Sequence, residues 1–226
     1  MNLSDIQTFV SQRWDEDIVD RLVDYVKVPA KSPAFDASWA AHGHLERVIR
    51  SAQAWCEAQG IAGMTIEIVA IEGLTPCLLF DVPATQGLGN DRTVMFYGHL
   101  DKQPEMVGWR EGFGPWTPVI EGGRLYGRGA ADDGYAVYSA LTVIAALDRQ
   151  GIPRPRCVGL IETCEESGSP DLPAYLAKLA PRLGDVQLVA GLDSGCGNYE
   201  QLWVTTSLRG LVGGTLSVEI LDEGVH

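Results

Sequence analysis

Apolar positions recur every three or four residues from the start of the chain: Ile6, Phe9, Val10, Trp14, Ile18, Leu22, Tyr25 and Val26. That spacing lines one face of a helix over residues 4–27, which VPAKSPAF then breaks. Residues 38–59 repeat the pattern through Trp39, Leu45, Ile49 and Trp55, and Gly60 stands where a helix end calls for a left-handed residue. Short β-rich runs follow in MTIEIVAI, CLLFDVPA and TVMFYGHL. Residues 134–149 (GYAVYSALTVIAALDR) are apolar nearly all round, which suits a helix packed on a sheet. RCVGLIETC predicts another strand, DLPAYLAKLA a helix and VQLVAGLD a further strand. Strands alternating with helices predict an α/β sandwich with a mixed, largely parallel sheet.

In that architecture ligands collect beyond the carboxyl ends of strands, so the residues standing there matter most. His99-Leu100-Asp101 follows TVMFYG, Glu165 and Glu166 follow GLIETC, and Asp193 follows VQLVAGL. Ahead of the apolar helix, GRGAADDG supplies Asp132 and Asp133. One imidazole and several carboxylates at element ends suit a pair of divalent cations. Zinc takes both ligand types and leaves room for water, and a carboxylate bridging two ions lets them share it. A neighbouring glutamate that does not ligate can carry the water's proton. Glu165 and Glu166 suit that division, because successive strand-end residues point different ways. Asp101, bonded to the far nitrogen of His99, would fix the tautomer of the ring.

Plainer readings stand beside these. His99 and Asp101 also suit a strand-end turn, and Glu165-Glu166 a solvated turn before Ser167-Gly168. Asp132 and Asp133 also suit capping of the helix that follows. His42 and His44 read as surface or packing residues, and Cys164 and Cys196 as packing cysteines rather than soft ligands. GRGAADDG is not a phosphate loop, since it lacks the Lys-Ser/Thr end.

Composition narrows the field. At 226 residues and 46% hydrophobic, the chain can bury one large core or one core and part of another. A net charge of −13, from 30 acidic against 17 basic residues, leaves no basic stripe for nucleic acid and fits a protein that holds cations. No apolar run is long enough to span a bilayer, and MNLSDIQTFVSQRWDED lacks the basic start and apolar core of a signal peptide. The cysteines (Cys56, Cys77, Cys157, Cys164, Cys196) are odd in number with no C-x-x-C, which predicts a reduced, cytoplasmic setting.

GHLDKQP, GRLYGRGAADDG, ETCEESGS and GLDSG, in this order, resemble the motifs of the di-zinc metallopeptidases that include carnosinase, cytosolic non-specific dipeptidase, acetylornithine deacetylase and succinyl-diaminopimelate desuccinylase. GWREGFGPWTPVIEGGRLYGRGAADDG leans toward the dipeptidase branch. The resemblance implies a three-layer catalytic domain over residues 1–206, and the start of an α+β lid and dimerisation domain over residues 207–226. It implies hydrolysis of dipeptides or related short peptides by a hydroxide shared between two Zn2+ ions, with Mn2+ or Co2+ as substitutes, in a homodimer. His99 and Asp193 would then hold one ion, Glu166 the other, and Asp132 both. Glu165 would be the general base and Asp101 would orient His99, with a cis peptide between Asp132 and Asp133. His226, in EGVH, would reach across the dimer toward the partner's substrate.

The departures predict something else. The family's last ligand histidine, most of its lid and the residues gripping the substrate carboxylate would fall beyond His226, so the chain reads as truncated. SLRGLVGGTLSVEILDEGVH, with Leu216, Val218 and Ile220 alternating, opens an antiparallel unit that the chain does not close. Gly134-Tyr135 replaces the lysine of the common GRGxxDDKG pattern. The rival readings are therefore a non-catalytic fragment or pseudoenzyme, and an N-acyl amino acid deacylase.

Overall fold

A computed structural model describes residues 1–85, 87–221 and 224. They fall into two compact units, Met1–Asp193 and Ser194–His226. The first contains strands β1 (Thr65–Val69), β2 (Cys77–Val82), β3 (Thr93–His99), β4 (Val119–Glu121), β5 (Arg124–Tyr126), β6 (Arg156–Glu162) and β7 (Val186–Gly191). Five of them form one sheet in the order β1-β2-β6-β3-β7, while β4 and β5 pair as a separate hairpin. β1–β2 and β2–β6 are antiparallel, β6–β3 and β3–β7 parallel, so only β2 runs against the other four. The sheet is mixed and largely parallel, as the alternation of strand and helix patterns predicts.

Burial along the strands follows the two-residue period. Leu78, Phe80 and Val82 of β2 face a core built with Leu22 and Tyr25 of helix α2, Leu45, Ile49 and Trp55 of α4, and Val137, Leu141 and Ile144 of α5. The alternate residues Cys77 and Leu79, with Val158 and Leu160 of β6, face Tyr175, Leu179 and Leu183 of α6. Helices therefore cover both faces, giving three layers. Their ranges are α1 Leu3–Arg13, α2 Val19–Val26, α3 Trp39–His42, α4 His44–Ala58, α5 Ala136–Arg149 and α6 Leu172–Leu183. α1 and α2 join through a wider π turn at Trp14–Ile18, so the amphipathic stripe of residues 4–27 is nearly continuous.

Two local features differ from the sequence reading. The helix expected over residues 38–59 is broken into α3 and α4 at Gly43, whose φ of 65° lies in the left-handed region. The β4–β5 hairpin was not expected. Its turn is Gly122-Gly123, both at positive φ, as a two-residue primed turn requires.

Register sets up the site. His99 of β3 pairs with Glu162 of β6, and Tyr97 with Gly191 of β7. The segments leaving β6 and β7 therefore emerge level with His99. In the second unit no strand or helix forms among the described residues. Leu216, Val218 and Ile220 are 90%, 73% and 86% exposed, and an alternating segment with no paired neighbour has nothing to hold it extended. No helix among the described residues is long and apolar enough to cross a membrane.

Candidate metal centre

His99 closes β3 and is fully buried. The residue before it must be small, because a Cβ at Gly98 would lie 2.7 Å from Asp133 Oδ2 and 2.8 Å from Ala136 Cβ. Through that gap Asp133 Oδ2 reaches the strand and accepts from the His99 N–H at 3.3 Å. The peptide joining Asp132 to Asp133 is cis. Neither aspartate caps α5, whose N-cap is Tyr135 with no side-chain cap bond. Gly134, standing where the common pattern has lysine, has no room for a side chain, since its Cβ would meet the Tyr25 ring at 2.3 Å.

The two imidazole nitrogens face different chemistry. Nδ1 is 3.1 Å from the main-chain oxygen of Asp101 and 3.4 Å from its Oδ1. Nε2 has Asp132 Oδ1 at 3.2 Å, Asp193 Oδ2 at 3.5 Å and Glu165 Oε2 at 3.9 Å, yet makes no hydrogen bond to any of them. The Asp101 carboxylate has another occupation. It accepts from the N–H groups of Glu165 at 3.1 Å and Glu166 at 3.0 Å, pinning the 3-10 turn Glu165–Ser167 beside the ring. Those first-turn amides lack partners within the turn, so the carboxylate serves them while its own carbonyl faces the histidine. Glu166 takes a hydrogen bond from the Gln103 amide on Oε2, and its Oε1 is buried without a partner.

The expected residues thus come together in two overlapping groups, His99–Asp132–Glu166 and His99–Glu165–Asp193, each with donor atoms within 4.8 Å of one another. The second group differs from the expected division by setting Glu165 beside Asp193. His226 lies outside the described residues. Cys164 is in neither group; its Sγ is 3.2 Å from Glu162 Oε2 and its thiol is pushed up to about 12 by burial.

Electrostatics show what this set needs. Burial pulls the His99 imidazole down, but Asp101, Asp132 and Asp133 more than offset it and raise it to about 11. Contact with His99 holds Asp132 below the usual carboxylate range despite burial. Burial pushes Glu166 and Asp133 each up to about 7 and raises Glu165 and Asp193, where neighbouring carboxylates add to the effect. Crowded carboxylates around one imidazole are relieved by protons or by a cation among them. An unbonded ring nitrogen and an unbonded Glu166 oxygen, in a nitrogen-and-oxygen donor set, fit zinc and related divalent ions.

Three contributors were not legible as such. Asp133 bonds the main chain of His99, and Gln103 bonds Glu166. Lys102 is fully buried, with Nζ 2.7 Å from the Tyr25 carbonyl, 2.8 Å from that of Val28 and 3.8 Å from the Tyr25 ring centre. The only signal was their adjacency to His99, Asp101 and Asp132 within GHLDKQP and AADDG.

Residues 95–206, which run from β3 through Asp193, match the profile of peptidase family M20/M25/M40. This segment, just under half of the chain, is similar to that family. A Cys-Gly metallodipeptidase of Candida albicans is 40% identical over 100 residues, 41% of this chain and 20% of that protein. A Beta-Ala-His dipeptidase of Rattus norvegicus is 33% identical over 157 residues, 62% of this chain and 29% of that protein. The crystal structure of human carnosine dipeptidase 1 superposes with a TM-score of 0.65 at 23% identity, over 85% of this chain and 41% of that one. It shares the fold. The chain thus spans between 20% and 41% of the length of these proteins.

Proposed function

We propose that this protein is an M20-type metal-dependent dipeptidase that hydrolyses the amide bond of dipeptides or related short peptides. One observation carries the reading: a buried imidazole nitrogen without a hydrogen bond, faced by carboxylates of Asp132, Asp193 and Glu165 at 3.2–3.9 Å. His99, Asp132, Asp193 and Glu166 would hold a pair of divalent cations, zinc foremost. When bound, such a pair lowers the pKa of water and draws charge from a carbonyl oxygen.

The protein's own groups do the rest. Asp101 fixes the turn that carries both glutamates, through the two main-chain amides. Glu165 takes a proton on Oε2 and hands it to the departing amine. Burial raises its pKa toward the range where a carboxyl can do both. The names of the Candida and rat relatives support a dipeptide as substrate. The same reading makes the working protein a cytoplasmic homodimer, with residues 207–226 belonging to the lid and His226 directed to the partner's substrate.

Metal analysis and peptide hydrolysis test it together. The protein is expected to retain two ions after dialysis and to cleave dipeptides when Zn2+, Co2+ or Mn2+ is present. Glu165→Gln should keep the ions and lose about 10²–10⁴-fold in rate. A protein that holds no ion tightly, or a Glu165→Gln variant of undiminished rate, refutes the assignment.

A further inference from the structure

We infer that Gln103 is a positioning residue that makes Glu166 offer one chosen oxygen to its cation, an inference that rests on reading Glu166 as a metal ligand. The Gln103 side-chain amide donates to Glu166 Oε2, while Glu166 Oε1 is buried with no partner. A carboxylate only accepts, so the NH2 end of Gln103 must face it. The bond is charge-assisted and therefore strong. Occupying Oε2 in this way opposes chelation through both oxygens and leaves Oε1, buried and without a hydrogen bond, to serve the group that Glu166 forms with His99 and Asp132.

The main chain holds Gln103 in place for this role. On one side, the Lys102 carbonyl accepts from the Ser32 N–H at 3.0 Å, and Lys102 Nζ is tied to the carbonyls of Tyr25 and Val28. On the other, Pro104 restricts the backbone before it, and its carbonyl accepts from Arg128 Nε at 3.0 Å. A side chain between two fixed residues has its reach set by the backbone. Glu166 is fixed as firmly, through its N–H on Asp101. Donor and acceptor are thus each placed by contacts independent of the bond between them, as a preorganised ligand requires.

Titration of the metal-free protein with Co2+, followed by calorimetry and by the visible absorption of the ion, tests this. Gln103→Met keeps length and volume but removes the donor. Binding of one of two ions is expected to weaken about 10–100-fold, with the other unchanged and the absorption bands of the loaded protein displaced. Equal weakening of both ions, or unchanged affinities and bands, overturns the role of Gln103 and leaves the metal site standing. Wild-type protein that takes up no Co2+ overturns the metal site itself, and this inference with it. Amide NMR of the wild-type protein gives a reading that needs no variant to fold. One Gln103 side-chain proton should lie downfield and resist exchange when Co2+ is replaced by Zn2+, and free exchange with water refutes the bond.

Discussion

His42 and His99 each lie against an aspartate. His42 Nδ1 is 2.7 Å from Asp36 Oδ2, and His99 Nδ1 is 3.4 Å from Asp101 Oδ1. By distance alone the first contact is the better one. Yet His42 ends the short helix α3 with its side chain 52% exposed, and its nearest ring neighbour is His44 at 5.8 Å. His99 is wholly buried, and its second nitrogen looks onto three carboxylates. A histidine–aspartate contact is common chemistry. A buried ring whose other nitrogen meets only acids is a demand for a cation, and sheet register creates that demand by setting the ends of β6 and β7 level with β3.

The sharpest way to break this comparison is to remove Asp101. Its carboxylate is fully buried and serves two main-chain amides, so Asp101→Ala strands those donors and loosens the turn carrying Glu165 and Glu166. The expected loss is about 3–5 kcal/mol, the range for breaking a buried charged contact, read from the urea midpoint at constant slope. A loss below about 1 kcal/mol would mean that the turn holds itself and Asp101 matters only to the ring.

Next in size is the cation. At a hundred times its dissociation constant a bound ion adds about 2.7 kcal/mol. That gain should vanish in Asp132→Asn, whose side chain is 52% exposed and contributes little to the metal-free fold. The gain should also grow with pH. Asp133 and Glu166 titrate near 7 in the folded protein, above their ordinary values of 3.8 and 4.5. The folded state keeps protons there that the unfolded chain has released, so the stability these groups contribute is present in acid and lost as pH rises through 7. Cations replace those protons. Thermal melts with and without Zn2+ between pH 5 and pH 8 should therefore diverge upward, and parallel curves would show that protons and cations do not share the site.

Much of this was legible in the chain. His99, Glu165, Glu166 and Asp193 were found because short β-rich apolar runs mark strands, at whose carboxyl ends ligands collect, and Asp132 because it stands ahead of the apolar helix. What stayed hidden depends on which atom faces which. The turn between Glu165 and Glu166 lies 64 and 65 residues from Asp101 along the chain, and Gln103 lies 63 from Glu166. No local pattern reports bonds across such separations. The break at Gly43 was missed because its neighbours keep the helical period on both sides, whereas Gly60 was legible because the pattern stops there.

The smallest effect is the most telling control. His42→Ala removes an imidazole that contacts an acid more closely than His99 contacts Asp101. If proximity of the two residue types made the site, the two histidines would be comparable in weight. A pair with one partner open to water is worth about 0–1 kcal/mol, and here the imidazole is that partner, at 52% exposure against 9% for Asp36. His42→Ala is therefore expected to shift the urea midpoint by no more than that and to leave Co2+ affinity and spectrum unchanged. A change in either metal reading would link α3 to the centre, and the distinction between the two histidines would then rest on burial alone rather than on what the second nitrogen faces.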